Sequence, residues 1–343
     1  MKLIHMKRLN QYIHENTCIN EKLTIVHKSY GCVPQSKNEL KEIIKDRLRD
    51  NPDANLNDID VSNITDMSYL FHALNPRNID VSKWDVSNVK FMDTMFWGCR
   101  RFNADLSNWD VSNAINMTSM FDGCENFKSD LSRWNVSKVT SMNSMFFTCS
   151  IFESDLSGWD VSKVEDMSNM FWLCENFNSN LKDWNVSNVK YMSSTFGGCT
   201  NFQSDLSHWN VSKVRDMSGM FYSCEKFDSD LSRWDVSGAK DMNGMFQYCI
   251  KFNSDLSKWN VSNVQKMNHM FNGCIKFNSD LSGWDVSSVD DMRSMFAGCL
   301  AFDSDLESWN KKIHDIDDMF DNCDSMTKLP DWYTSQKADR WYI

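Results

Sequence analysis

The stretch that decides the fold runs Asp105-Leu106-Ser107-Asn108-Trp109-Asp110-Val111-Ser112 and continues through Met117-Thr118-Ser119-Met120-Phe121 to Cys124 and Phe127. It recurs every 25 residues, with Trp from Trp84 to Trp309, Phe from Phe96 to Phe296 and Cys from Cys99 to Cys299. A constant period of this length is typical of solenoids, in which each repeat packs only on its neighbours. The period therefore predicts one continuous repeat solenoid rather than two or three globular domains.

Charge and cysteine usage narrow the class of protein. The 343 residues carry a net charge of −11 with acids and bases mixed, which disfavours a general role in binding duplex nucleic acid. Ten of the 12 cysteines form one column, so we expect reduced, buried thiols rather than a disulfide framework. No Cys-x-x-Cys pair is present, and we predict neither a metal site nor a cofactor.

The N-terminal residues bear on where the protein works. Met1 to Arg8 is basic but runs into polar residues, without an apolar core, a small-residue cleavage site or a cysteine placed for lipid attachment. No stretch is long and apolar enough to span a bilayer. We therefore expect a cytoplasmic location, or a non-classically exported or virion-associated protein.

Two hydrophobic patterns follow one another in each repeat. Trp109 and Val111 alternate with outward Asn108, Asp110 and Ser112, which predicts a short strand. The residues that come next step by three and four, which predicts a short helix. The sequence thus predicts an α/β solenoid of leucine-rich-repeat type, with parallel strands on a concave face and about eleven turns from Ile59 to Trp309. In one repeat the helical residues are Val164, Met167, Met170, Phe171 and Cys174.

Both ends depart from the repeat and are predicted to cap it, because an open solenoid end exposes core and strand edge. Residues 1–55 form the N-terminal cap, with a helix near 36–50 that Ser36 and Glu39 open as a capping box; a small tethering or docking domain is the alternative. Residues 56–323 form the solenoid. Residues 324–343 form a C-terminal cap after the break at 310–313; an aromatic docking peptide around Trp332 and Tyr333 is the alternative.

Acidic columns form a candidate metal site that has a simpler explanation. Asp85, Asp110, Asp160, Asp235 and Asp285 alternate with Asn along one outward column, and a second column from Asp80 to Asp305 holds one Asn. Stacked carboxylates could bind calcium. However, Asp and Asn both hydrogen-bond nearby backbone amides in turns, and their free exchange favours that role over charge-dependent coordination.

One outward column varies while its neighbours repeat, and such positions are where a solenoid can encode a partner. It projects beside each Trp on the predicted concave face, and neutral drift on a solvated surface is the alternative explanation. With three neighbouring Asp residues, it supplies the candidate partner-binding residues: Lys83, Asn108, Arg133, Asp183, His208, Arg233, Lys258, Asp110, Asp160 and Asp235.

The repeat Asp-Leu-Ser-x-Trp-Asp-Val-Ser-x-Val-x-x-Met-x-x-Met-Phe-x-x-Cys-x-x-Phe resembles that of the BspA-like leucine-rich-repeat surface proteins. This type is abundant in mycoplasma lipoproteins and in bacteria, phages and protists of mucosal habitats. The resemblance covers about residues 56–323. It implies a solenoid for surface display and binding, in some members adhesion to host matrix or cells, and no catalysis. The N-terminal residues show no signal-peptide or lipobox pattern of the surface lipoproteins, so we do not expect lipid-anchored display.

These observations predict a non-catalytic scaffold that binds a protein, or a glycan, through its concave face. No His recurs beside a distinctive Ser, and no glycine-rich phosphate loop is present, so an enzyme is not expected. The alternatives are a structural spacer of a virion or cell envelope and a calcium-dependent adhesin. The identity of the partner and the oligomeric state are not predicted.

Overall fold

The computed structural model describes residues 32–309 and 314–340. Two α-helices stand at the ends of this part of the chain: α1 spans Lys37–Asp50 and α2 spans Asp331–Arg340. Between them, single parallel β-bridges join each repeat to the next, one period apart. The chain is therefore a parallel repeat solenoid, which confirms that part of the prediction. The bridged residues are Asp66, Phe91, Asn116, Ser141, Asp166, Tyr191, Asp216, Asp241, Lys266, Asp291 and Asp315, with Asn55 to Asp80 and Cys32 to Ile59 before them.

The predicted helix in each repeat is wrong. Asn169 and Leu173, which lie inside it, both have φ of 58°, a left-handed conformation that an α-helix cannot contain. Amides at alternate positions, including these two, donate to carbonyls of the next repeat at 2.7–3.0 Å. The amides between them close tight turns, such as Met170 N–H to the Met167 carbonyl at 3.1 Å.

The same two positions are left-handed in every repeat. Apolar residues spaced by three and four therefore point inward here through consecutive turns, which imitate the helical pattern without an i to i−4 hydrogen bond. The first column comprises Tyr69, Thr94, Ser119, Ser144, Asn169, Ser194, Gly219, Gly244, His269, Ser294 and Asp318. The second comprises Ala73, Gly98, Gly123, Thr148, Leu173, Gly198, Ser223, Tyr248, Gly273, Gly298 and Asn322.

The predicted strand at Trp109–Val111 is also misplaced. This segment lies between two turns, closed by the Trp109 amide on Leu106 and the Ala114 amide on Val111 at 3.1 and 2.9 Å. The parallel bridge of this repeat lies further along, at Asn116. Alternating burial of Trp109 and Val111 was thus a correct sign of inward side chains, but a strand needs pairing as well, and the pairing lies elsewhere.

The recurrent apolar residues are buried in continuous rows, as predicted. Consecutive Trp rings stack at 6.4 Å between Trp184 and Trp209, and consecutive Phe rings at 5.7 Å between Phe171 and Phe196. The Trp209 indole N–H donates to the carbonyl of Leu181 at 2.9 Å, so each ring binds the preceding repeat as well as filling the core. No repeat can bury its own rows alone, because its neighbours supply both covering surfaces.

The first helix begins at a capped end and packs on the first repeats. Ser36 Oγ accepts the Glu39 amide at 3.2 Å, and the buried face consists of Leu40, Ile43, Ile44 and Leu48. Lys37 Nζ lies 2.7 Å from an Asp66 carboxylate oxygen. α1 therefore covers one open edge of the apolar rows with a complementary apolar face.

The second helix supplies the last of the indole hydrogen bonds that link successive repeats. Trp332 Nε1 donates to the Leu306 carbonyl at 2.9 Å, where the Trp of a further repeat would donate. Tyr333 packs edge-on against Phe320, with 4.9 Å between ring centroids. Both residues are buried, so the alternative of a free aromatic docking peptide does not hold for them. Residues 1–31, the break at 310–313 and the aromatic residues at 341–343 lie outside the described residues.

Candidate interaction surfaces

All ten predicted partner-binding residues are exposed, on a backbone that does not change from repeat to repeat. The variable column, here called the Trp-side column, occupies the turn that the Trp amide closes at 3.0–3.1 Å in every repeat. A constant turn carrying different side chains is a suitable frame for recognition, since substitutions there leave the core untouched. The column comprises Lys83, Asn108, Arg133, Gly158, Asp183, His208, Arg233, Lys258, Gly283 and Ser308.

Three of the predicted residues meet at one place. Asn108, Asp110 and Arg133, together with Trp109, line an open depression of about 320 Å³. An amide, a carboxylate and a guanidinium beside an indole offer donors, acceptors and an apolar surface together. The other seven predicted residues lie further along the two columns and do not contribute to this depression.

The Asp columns hold their own turns together. The Asp110 carboxylate accepts the Ser112 amide at 3.0 Å, and Asn135 accepts the Ser137 amide at 3.1 Å in the same way. Hydrogen bonds from the Ser112 side chain and amide lower the pKa of Asp110, and Asp160 and Asp235 show the same shift for the same reason. Because Asn substitutes with equal geometry, the common role is backbone hydrogen bonding.

Metal coordination finds little support in this geometry. Among residues 32–309 and 314–340, no group of three or more His, Cys, Asp or Glu side chains is arranged to hold a metal ion. The carboxylate oxygens that could contribute are directed to amides two residues further along the chain. The columns therefore act as turn-forming elements in this structure.

The cysteine column consists of free, buried thiols. The Cys199 thiol donates to the Phe171 carbonyl at 3.0 Å, 28 residues earlier, and this bond recurs along the column. Burial raises the pKa of Cys99 to about 12, so the thiol stays protonated near neutrality and is a poor nucleophile or metal ligand. Cys32, outside the column, is disulfide-bonded, which departs from the expectation of reduced thiols throughout.

A partly exposed apolar surface, which the sequence did not predict, lies in the columns that follow the inward Phe in several repeats. Phe147 and Trp172 stack at 6.4 Å, Trp172 and Tyr222 at 5.7 Å, and Tyr222 meets Tyr248 edge-on at 5.9 Å. A run of such contacts on a polar molecule is unusual, because soluble monomers seldom expose contiguous apolar patches. We call this surface the apolar ridge. Its half-buried members are Phe147, Trp172 and Tyr222, and its exposed members are Ile151, Leu173, Tyr248, Ile250, Ile275 and Leu300.

Glycines leave space for large ridge side chains of the preceding repeat to pack against the backbone. A Cβ on Gly197 would stand 2.2 Å from the Trp172 ring, and one on Gly198 would stand 2.5 Å from Leu173. The missing side chains of one repeat are therefore filled by the large side chains of the preceding one. Variation in the two columns after Phe, with glycine alternating with aromatic residues, was the sequence signal for this surface.

Within the described residues, no helix combines the length and the apolar content needed to cross a membrane.

The geometry defines a repeat solenoid with constant buried rows and variable exposed columns. The family model described as "Mycoplasma protein of unknown function, DUF285" matches residues 38–158, 140–257 and 229–333. The chain belongs to this family, since the matches cover nearly all of the repeats. The family match supports the predicted leucine-rich-repeat class of protein. It does not identify a particular subfamily. No curated protein sequence matched the chain.

Solved structures show only distant likeness. A leucine-rich cell surface protein from Faecalibacterium prausnitzii A2-165 is 12% identical over 69% of this chain and 81% of its own, with a TM-score of 0.27. The leucine-rich-repeat ectodomain of the Arabidopsis thaliana receptor kinase GASSHO1/SCHENGEN3, in complex with CASPARIAN STRIP INTEGRITY FACTOR 2, is 9% identical over 73% of this chain and 33% of its own, with a TM-score of 0.24.

The functional domain of InlJ from Listeria monocytogenes, described as including a cysteine ladder, is 9% identical over 73% of this chain and 57% of its own, with a TM-score of 0.21. TM-scores this low transfer neither detailed geometry nor function to this chain.

Proposed function

We propose that this chain is a non-catalytic recognition scaffold that binds a protein partner through the Trp-side column. The observation that carries the proposal is the contrast between a turn with constant hydrogen bonding and the different exposed side chains upon it. A fixed backbone presents these side chains without an ordering cost on binding, which favours affinity. The proposal includes the predicted concave position of this column.

The chemistry of the column favours a partner with acidic patches. Arg133, Arg233 and Lys258 are exposed, and Gly158 and Gly283 leave gaps beside them where a partner can approach the backbone. Arg also forms planar, bidentate contacts with carboxylates, which gives geometric selectivity. A glycan with acidic groups would meet the same side chains, and loss of captured partners after glycosidase treatment would identify it.

The test is affinity capture with the column altered and the fold intact. The variant Arg233→Glu with Lys258→Glu should lose captured partners, because it reverses two exposed charges on this surface. The matched control, Arg215→Glu with Lys240→Glu, changes the same net charge at exposed positions beside the β-bridges and should retain them. Equal melting temperatures would show that both variants fold. Unchanged capture by the first variant would refute the proposal.

A structural spacer is the second candidate, and the continuous stacking of the interior rows is the observation in its favour. A spacer acts through length and stiffness, so it should tolerate the charge reversals but fail when one repeat is deleted in register, for example residues 185–209. A binder should show the opposite sensitivity. The deletion and the charge reversals together therefore separate the candidates.

Adhesion or host contact at a cell or virion surface is a further part of the proposal, and it rests on the resemblance of the repeat to surface proteins. A calcium-dependent form of adhesion would require the Asp columns to bind the ion. A melting temperature that does not change with a chelator would exclude that form, while leaving calcium-independent recognition intact.

A further inference from the structure

The apolar ridge contains side chains that the fold alone does not account for. Leu173 and Tyr248 have φ of 58° and 62°, and they are 40% and 44% exposed. Left-handed backbone disfavours any side chain with a Cβ, and the same column holds Gly98, Gly123 and Gly198 elsewhere. Large apolar residues at strained, exposed positions point to a role outside the core.

The two ends of the ridge carry charges of opposite sign. Glu175 and Glu225 lie three residues beyond Trp172 and Tyr222, whereas the next column holds Lys226, Lys251 and Lys276. All five side chains belong to exposed residues. Glu175 thus lies in the N-terminal half of the ridge and Lys251 and Lys276 lie in its C-terminal half, while Glu225 and Lys226 are neighbours in the middle repeat.

We propose that the apolar ridge is the interface of an antiparallel, two-fold homodimer whose axis passes near Tyr222. Tyr222 belongs to the middle repeat of the seven that run from Phe147 to Leu300. A two-fold axis there places Glu175 of one protomer opposite Lys276 of its partner, since each lies two repeats from the centre.

The charge pattern selects this orientation over the alternatives. Two copies aligned in parallel and in register would bring like charges together, which costs affinity. A second copy carries the required complement of both charges and apolar surface in its own sequence, and no other partner must be assumed. The ridge lies in the columns after Phe and not in the Trp-side column, so the dimer and the proposed recognition site can be tested separately.

The primary experiment is sedimentation of the full chain over roughly 1–100 µM, a range in which interfaces of ordinary affinity are populated. We expect a concentration-dependent dimer. The double variant Leu173→Gly with Tyr248→Gly should weaken dimerisation by about tenfold or more, because it removes two exposed anchors. Gly adopts the left-handed backbone freely, so this variant should melt no lower than the parent, which separates lost association from lost folding.

Charge exchange tests the orientation. Glu175→Lys alone and Lys276→Glu alone should each weaken the dimer, and the two together should restore it, because the exchanged pair regains opposite signs across the axis. The control Arg133→Glu with Arg233→Glu alters the Trp-side column and should leave the mass unchanged.

Two results would overturn the proposal. A chain that remains monomeric over the whole concentration range would show that the ridge does not bind a second copy. A dimer that ignores both the glycine and the charge variants uses another surface. Neither result affects capture of partners by the Trp-side column, so failure here is distinguishable from failure of the proposed function.

Discussion

Phe171 and Leu173 stand two residues apart in the same repeat and follow opposite rules. Their amides make equivalent bonds to the next repeat, at 2.9 and 2.7 Å. The column of Phe171 is Phe in every repeat from Phe71 to Phe320, whereas the column of Leu173 holds seven residue types, from Gly to Tyr. Within each column the backbone conformation is constant from repeat to repeat, so burial decides which column can change its side chains.

The interior of the repeats contributes more to the stability of the backbone than the exposed columns do. Buried rows and bonds between repeats hold the left-handed turn even where Leu or Tyr occupies it, although these residues disfavour it. Packing of the interior therefore fixes the backbone conformation of the exposed columns. Surface residues can then diverge without loss of the fold.

The largest effect should come from breaking an interior row. Trp209→Ala removes a ring that stacks on Trp184 at 6.4 Å and leaves the Leu181 carbonyl without its indole donor. We expect a loss of about 3–5 kcal/mol in the free energy of unfolding, measured by urea denaturation. Trp209→Phe keeps most of the ring but not the donor and should lose about 1–3 kcal/mol.

A loss below about 1 kcal/mol for Trp209→Ala would contradict the claim that these rows dominate cohesion. Tyr191→Ala serves as the surface control in the neighbouring repeat, because this side chain is 43% exposed. It should change stability by no more than about 0.5 kcal/mol.

An intermediate effect should appear where the ridge is packed by a glycine. Gly197→Ala places a methyl group 2.2 Å from the Trp172 ring, and overpacking of this kind costs about 1–3 kcal/mol. Gly158→Ala is the matched control, because a Cβ there meets nothing within 4 Å and φ is not left-handed. It should leave stability unchanged or raise it by about 0.4–1 kcal/mol.

The ring that causes the clash also provides the rescue. In the background Trp172→Ala, the substitution Gly197→Ala should become nearly neutral in the free energy of unfolding. If both backgrounds lose the same amount, Gly197 matters for another reason and the flat packing of the ridge is not the cause.

The sequence was sufficient for the interior, because rows of equal side chains require equal burial. Trp209, Phe171 and Cys199 are all buried, and every other member of their columns follows the same rule. The helix at Lys37–Asp50 likewise coincides with a capping residue and an apolar face that are visible in the sequence. Burial and local capping are short-range properties, which single sequences carry well.

The backbone of the repeat could not be predicted from apolar spacing alone. Inward residues separated by three and four suit a helix, but they also suit two consecutive turns with left-handed residues at Asn169 and Leu173. The recurrence of glycine at Gly98, Gly123 and Gly198 was the available signal for the second arrangement. The bridge at Tyr191 was invisible, because an exposed pairing position carries no apolar alternation.

The two candidate surfaces also differ in how well the sequence predicts them. The exposure of the Trp-side column was predictable, because it varies beside constant residues, and its seven selected residues and the three neighbouring Asp are exposed. The apolar ridge was not, because apolar spacing alone does not separate Trp172 and Tyr222 from the inward residues beside them. Only the turn geometry separates an inward Phe171 from an outward Trp172.

The smallest effect should come from a partly buried carboxyl group in the column that follows the inward Phe. Burial there disfavours the charged form of the group. Asp122 is partly buried, and desolvation raises its pKa from 3.8 to about 6, opposed by a hydrogen bond from Ser119. The folded chain thus holds this proton more tightly than the unfolded chain, so stability falls as pH rises from about 4 to about 6. Asp122→Asn should remove the penalty and raise stability above pH 6, by of order 1 kcal/mol after solvent screening.

The sign of this effect can be checked against a carboxyl group of the opposite kind. Hydrogen bonds from the Ser132 amide and side chain lower the pKa of Asp130, so its contribution is present above its unfolded pKa and lost as pH falls through the folded value. Melting temperatures at pH 4 and pH 7.5 should therefore rise for Asp122→Asn only at the higher pH, and fall slightly there for Asp130→Asn. A gain for Asp122→Asn that is equal at both pH values would mean that the carboxylate charge is not what the buried site disfavours.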